Sequence, residues 1–298
     1  MKEKSTSIYS RADRKKVASI VVFIVLLLNA ATLIFVFFWG LLTSLKRVTD
    51  FHFNKFGLPE NWMFSNFVTA FEVLTVPVQA GGGTRDVRLI EMIFNSVLLS
   101  IAPMVLVLVT ALCMYTLAKY KFRGRNFIYN TFIIVMVLPI IGSLPSVLQF
   151  RYSLNAYDKL WFIFMTSPFT VWGGPWLILY ATFKSLSWEF AEAAIIDGAG
   201  HHRIFWTIML PMVRTVILVL LLLAFIGSWN DYSLSLIYLP SYPTLSYGLW
   251  DFQSSSSNQA TLTVQLAVAM MASVPGLILF FIFKNNMMGS LTVGGLKG

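Results

Sequence analysis

The chain has 298 residues, of which 57% are hydrophobic and only 12% charged, and its mean hydropathy is +0.73. Soluble domains are about 45–50% apolar and about 25% charged, so this composition leaves too little polar surface to coat a water-soluble globule, and lipid is the remaining solvent. The net charge of +9 does not point to nucleic acid, because much of the excess Lys and Arg sits in short hydrophilic segments flanking apolar runs, which is the pattern of membrane topology.

Residues 1–16 are expected to form a basic cytoplasmic N-terminal segment, and residues 17–298 are expected to form one transmembrane domain. The stretches 17–45, 92–118, 126–150, 160–183 and 215–230 carry no Asp, Glu, Lys or Arg; a sixth, 252–283, is continuously apolar only after Asn258. A spanning helix needs about 20 apolar residues, and the fifth run reaches that length between Met212 and Ile237. These runs do not alternate polar with apolar residues, which argues against a barrel. The expected fold class is therefore an all-α integral membrane protein with six transmembrane helices. With the N-terminus inside, inner segments hold 15 Lys and Arg against 7 outside, so both termini are expected in the cytoplasm.

Residues 46–91 make a long outer loop with three consecutive glycines at 81–83 and no spanning stretch. A short interfacial helix is expected there, serving either as a spacer or as a docking surface. Cys113 is the chain's one cysteine and lies in an apolar run, so an intrachain disulfide is impossible and packing is its expected role. His52 is isolated, and the neighbouring His201 and His202 would point to different sides of a helix, so no metal-ligand spacing appears. Pro103, Pro139, Pro145, Pro168, Pro175 and Pro275 interrupt the spans. Each removes a helical hydrogen bond, and in lipid the freed carbonyls must be satisfied by neighbouring helices or water. Six such breaks favour a moving, cavity-forming bundle over a passive anchor.

The inner segment 184–211 is the informative one. From Ser187 it reads as a helix, a break at Gly198 and Gly200, and a second helix to Leu210, with Pro211 opening the next span. Ser187 can cap the first helix, and Glu189 and Glu192 near its start suit the helix dipole. Ala193, Ala194 and Ala199 are small enough for another protein surface to approach the backbone closely. Glu192-Ala193-Ala194, three residues, Gly198, nine residues, then Ile208-x-Leu210-Pro211 is similar to the EAA loop of ATP-binding-cassette importer permeases. Asn95-Ser96, the segment from Ala118 and Lys119 to Arg125, Trp229-Asn230-Asp231-Tyr232 and the tail from Gly289 to Lys297 and Gly298 all resemble the maltose-permease G type of carbohydrate permease, over roughly residues 15–298. Two stretches depart from the pattern: the glycine run at 81–83 looks like an insertion, and Asn155 to Asp158 replaces the usual turn after the third helix.

The resemblance implies a type I importer permease fold working by alternating access. Its coupling loop, with Glu192, Ala193, Ala194, Asp197, Gly198, Ala199, Ile208, Leu210 and Pro211, would sit in a cleft of a separate ATPase homodimer or heterodimer. ATP and Mg would be bound by that partner, with no cofactor or metal in this chain. A second homologous permease, an extracytoplasmic solute-binding protein and a sugar or oligosaccharide complete the implied partners, in a bacterial inner membrane. In the cytoplasmic tail 284–298, Lys297 and Gly298 would reach the ATPase interface, unless the end is merely frayed. For the solute path, Asn230 and Asp231 are the polar pair most costly to leave in lipid. Trp229 and Tyr232 would stack on a sugar ring or belong to the aromatic belt. Gln149, Ser167, Thr170 and Trp172 are weaker candidates. A permease for a non-sugar solute or a secondary transporter are the alternatives; an intramembrane enzyme is disfavoured, because no paired carboxylates, metal-protease motif or nucleotide loop is present.

Overall fold

The computed structural model describes residues 3–80, 82–138, 142–163, 174–254 and 261–288. They divide into two compact units, residues 1–70 with 257–271, and residues 71–256 with 272–298. In the first unit, α1 (Glu3–Ser44) runs into the short α2 (Val48–Phe53). The chain end of α1 is tied down: Met63 N–H donates to Leu45 O at 2.8 Å, and Asn66 Nδ2 donates to both Ser44 O and Lys46 O at 2.8 Å. Gly40 faces Met270, whose Cε lies 3.0 Å from where a Cβ would stand, so this glycine lets the helices approach closely.

The outer loop departs from the all-α expectation. After α3 (Ser65–Val73), β1 (Thr75–Ala80) and β2 (Gly83–Arg88) pair antiparallel, with Ala80 opposite Gly83 and Gly82 at φ +90°. The glycine run therefore supplies the positive φ of a tight hairpin turn. Val76, Val78 and Val87 are buried, and Pro77, Gln79, Asp86 and Arg88 beside them are exposed, which is the two-residue period of a one-sided strand. Pro77 is tolerated because a two-stranded ribbon consists only of edges.

In the second unit, α4 (Leu89–Lys119) is the central post. It is followed by α5 (Arg125–Val137), α6 (Ser143–Ser153), α7 (Pro175–Ser185), α8 (Glu189–Ile196), α9 (His201–Ile204), a π-helical turn (Phe205–Met209) and α10 (Leu210–Met212). Then come α11 (Arg214–Trp229), α12 (Ser233–Tyr238) and α13 (Leu245–Ser254); α14 (Leu262–Met288) belongs to the first unit as far as Met271 and to the second from Ala272. One core runs along α4, α7 and α11, from Val107, Met114 and Tyr115 through Trp176 and Phe183 to Ile217 and Leu220, and it extends down to Ala191, Ile204 and Met209.

Among the described residues, three helices are long and apolar enough to cross a membrane: Lys15–Ser44, Leu89–Lys119 and Leu262–Asn285. A fourth crossing arises if His201–Met212 and Arg214–Trp229, bent by 80°, act as one span. The runs 126–150 and 160–183 form shorter helical pieces around residues 139–141 and 164–173, which lie outside the described residues, as do Pro139 and Pro168.

Pro103 lies inside the continuous helix α4 and shows how a span stays satisfied in lipid around a proline. Its ring nitrogen cannot bond Leu99 O, and that freed carbonyl accepts the Ser228 hydroxyl of α11 at 3.2 Å. Ser228→Ala is expected to lower stability in detergent by about 1 kcal/mol, the usual scale for a buried bond inside a membrane bundle. The same substitution in a Pro103→Ala background, where α4 can recover its own bond, should cost measurably less in thermal unfolding.

Candidate functional site: a helical elbow and the far end of its span

The segment 184–211 folds as a bent elbow. Ser187 Oγ accepts the Glu189 N–H at 3.3 Å, so the expected capping contact is present at the start of α8. At the other end, Ala199 N–H donates to Ala194 O at 2.9 Å and Gly198 N–H to Ile195 O at 3.0 Å, with Gly198 at φ +80°. This pair of bonds is a Schellman stop, and its positive φ favours glycine at position 198. The chain then turns through Gly200 into α9, whose Ile204 N–H returns to Gly200 O at 3.0 Å.

The faces of α8 sort its residues. Ala191 and Ala194 turn inward and are buried, at 7% exposure for Ala194. The small size of Ala194 therefore serves this chain's own core, and Ala199 is half-buried against the same core. Ala193 is the outward member of the trio, flanked by exposed Glu192, Asp197 and Gly198 and by the apolar Phe190, Ile195 and Ile196, the last 86% exposed. Ile208 and Leu210 are half-buried against the core and Pro211 is exposed.

The second leg does not continue straight into the next span. The axis bends by 80° at Val213, whose φ −103° and ψ 11° leave the helical region. Pro211 lacks the N–H that would bond Thr207 O, and the preceding turn has already widened to π spacing. Rigidity at this corner comes from packing, with Met209 and Val213 buried.

A cluster around Tyr120 holds the elbow to α4. Its hydroxyl lies 2.9 Å from His201 Nδ1 on the second leg and 3.3 Å from the Tyr115 hydroxyl. Its ring meets Trp188 at the entry to α8 edge-on, centroids 5.6 Å apart. Lys119 Nζ donates to Leu186 O at 2.5 Å, and Arg125 Nε donates to Leu117 O at 2.8 Å, closing the end of α4. Sequence reasoning quoted Lys119 to Arg125 as a matching motif but assigned Tyr120 no role; its signal was its place in that motif. Tyr120→Phe is expected to keep the ring contacts, whereas Tyr120→Ala should lose both legs' contact and lower stability in detergent by about 2 kcal/mol. Thermal unfolding of the two purified variants checks this.

The other candidates lie at the far end of α11, whose 16 residues span about 24 Å. Trp229 is buried: its Nε1–H donates to Ala272 O at 2.9 Å and its ring stacks on Phe225, which commits it to internal packing. Asn230 is exposed and donates Nδ2 to Ile226 O at 2.9 Å. Asp231 Oδ1 accepts from Ser233 N–H at 2.9 Å, from the Ser233 hydroxyl and from Leu234 N–H at 3.3 Å, capping α12. Tyr232 is exposed and stacks on Trp250. Gln149 is exposed on α6, away from this group in sequence. Trp172, Ser167, Thr170, Lys297 and Gly298 lie outside the described residues.

A multi-pass apolar bundle whose core continues into a packed elbow with an exposed outer face is the architecture of a membrane transport component. The chain belongs to the family of binding-protein-dependent transport system inner membrane components, whose pattern matches residues 107–286. It is 34% identical over 210 residues to the maltodextrin transport system permease protein MdxG of Bacillus subtilis (strain 168), covering 68% of this chain and 74% of that one. It is 28% identical to the diacetylchitobiose uptake system permease protein NgcG of Streptomyces coelicolor, covering 87% of this chain and 82% of the relative. In fold it is similar to a chain of a bacterial ABC transporter involved in the import of the acidic polysaccharide alginate, with a TM-score of 0.74 at 19% identity, covering 91% of this chain and 96% of that one.

Proposed function

We propose that this chain is a transmembrane permease subunit of an ATP-binding-cassette importer that carries a sugar or oligosaccharide into the cytoplasm. The observation that carries the reading is the elbow: a Schellman-stopped helix whose inner face is locked into the spans while its outer face offers Ile195, Ile196 and Ala193 uncovered. Such a face suits insertion into a cleft of a separate ATPase, which would bind ATP and Mg and whose closure would tilt the spans between inward-facing and outward-facing states. The relatives named for maltodextrin and diacetylchitobiose support a saccharide cargo.

A second permease, an extracytoplasmic solute-binding protein and the ATPase pair complete the assembly. The excess of Lys and Arg on inner segments supports cytoplasmic termini, which puts the elbow on the ATPase side and the Asn230–Tyr232 end outside. Lys297 and Gly298 are proposed to approach the ATPase interface, and Gln149 and Trp172 to line the path. The test is purification of this chain with the products of its neighbouring genes, crosslinking from single cysteines on the elbow, and ATPase assays with a saccharide panel. Elbow crosslinks that never reach an ATPase would remove the assignment, as would a receptor-stimulated ATPase indifferent to every sugar.

A further inference from the structure

The passage from α4 to α5 carries Lys119, Lys121, Arg123 and Arg125, and between Met92 and Trp188 the sequence holds a single acid, Asp158. That acid is engaged elsewhere, accepting from the Ser241 N–H and hydroxyl. Two of the four cations are spent on backbone carbonyls. Lys119 Nζ donates to Leu186 O, and Arg125 donates through Nε to Leu117 O and through Nη2 to Ala118 O. Lys121 and Arg123 are exposed and have no ion-pair partner among the described residues. The loop that bears them is fixed. Tyr120 N–H donates to Thr116 O at 3.0 Å, and Arg125 N–H donates to Phe122 O at 3.3 Å across a turn in which Gly124 supplies the positive φ, at +91°. The two free cations therefore hold their backbone places on either side of Phe122 before any ligand arrives.

Phe122 belongs to a groove. With Cys113 and Leu117 of α4 and Ile128 and Phe132 of α5 it lines a cleft of about 410 Å³. The wall has little for a polar guest: the Thr116 hydroxyl is spent on Leu112 O at 3.0 Å, which leaves the Cys113 thiol. Cys113, Phe122 and Ile128 are exposed, so the groove opens off the side of the chain, and α4 is a helix long and apolar enough to cross the membrane. An apolar groove that ends at two unpaired cations has the polarity order of a phospholipid, tail first and then phosphate. A protein helix matches the groove but not the cations unless it brings an acid, and a zwitterionic lipid brings its own ammonium to the phosphate.

We infer that the groove between α4 and α5 binds an anionic phospholipid, with an acyl chain along Cys113, Phe122 and Ile128 and the phosphate meeting Lys121 and Arg123. Basic clusters set between transmembrane helices select anionic headgroups, because the phosphate charge is met without a competing ammonium. The guanidinium fork of Arg123 suits phosphate oxygens two at a time. The inference requires only that α4 and α5 lie in lipid, so it goes beyond the saccharide reading and stands whatever solute is carried.

Cys113 reports occupancy, being the chain's one cysteine and part of the groove wall. Its alkylation by N-ethylmaleimide, a neutral reagent that enters lipid, is followed by peptide mass spectrometry on the purified complex in nanodiscs. The nanodiscs hold phosphatidylcholine alone or an equal mixture with phosphatidylglycerol. Alkylation is expected to be about five-fold slower in the mixture, and Lys121→Gln combined with Arg123→Gln should restore the faster rate. Lys15→Gln combined with Lys16→Gln, which neutralises exposed cations on α1, should leave the slowing in place and so separates a site from general surface charge. Equal rates in the two lipids overturn the proposal; if both are slow, a protein segment fills the groove instead. Slowing that survives the loss of Lys121 and Arg123, or that the α1 pair abolishes equally, overturns it as well.

Discussion

Gly198→Val is expected to uncouple the transporter: ATP hydrolysis continues, and sugar moved per ATP falls by about ten-fold or more. Gly198 holds φ +80°, and a Cβ built there meets nothing within 4 Å, so the cost is one of backbone conformation rather than collision. An ordinary L-residue in the left-handed region costs about 1–2 kcal/mol, and a β-branched one is less tolerated still. The chain can relieve that strain by giving up the bonds from Gly198 N–H to Ile195 O and from Ala199 N–H to Ala194 O, which together stop α8. Losing them lets α8 move independently of α9, and an elbow that flexes cannot pass displacement to the spans. Gly198→Asn should be mildest, since Asn tolerates this conformation, Gly198→Ala intermediate and Gly198→Val worst. Proteoliposomes in which hydrolysis and uptake are counted together decide it, and an unchanged ratio in the Val variant would sink the rigid-elbow reading.

The features legible in the sequence are those written in local runs. Residues 17–45, 92–118 and the apolar part of 252–283 became long helices because each run exceeds the length a bilayer demands, and no neighbour was needed to recognise it. The elbow was legible because its glycine stop and its closing proline act within one or two turns. The hairpin at 75–88 departs from the all-α expectation although its signs are local: Val76 and Val78 alternate with Thr75, Pro77 and Gln79 before three glycines, a pattern overshadowed by the helical character of the whole chain. Ala194 is buried although its small size suits an outward contact equally well, because size alone does not say which face a helix buries. The aromatic group after α11 is harder still. Trp229 and Tyr232 look equivalent in sequence, yet one indole is consumed by Ala272 O and the other ring stays open. The Trp250 that supports Tyr232 lies 18 residues away, and the bond from Asn95 to Pro243 that fixes its helix joins residues 148 apart. No periodicity reports contacts of that range.

Ile196→Asp should break the association with the ATPase while leaving the permease folded. At 86% exposure Ile196 contributes little to this chain's own core, so replacing it is expected to shift thermal unfolding by under about 0.5 kcal/mol. In the proposed complex its side chain is buried, and full burial of an isoleucine is worth about 1.5–3 kcal/mol. An aspartate forfeits that and adds a third carboxylate beside Glu192 and Asp197, whose charge must be desolvated in the cleft. Together these weaken docking by about a hundred-fold, enough to lose the ATPase during purification. Ile196→Leu keeps the apolar volume and should retain it. Ala194→Asp supplies the contrast: that position is buried in the elbow's own core, so the same charge there should unfold the elbow and lower the permease's own stability by several kcal/mol. Ile196→Asp copurifying normally with the ATPase would mean that α8 does not enter the cleft by this face. Destabilisation equal to that of Ala194→Asp would mean that Ile196 packs within the permease instead.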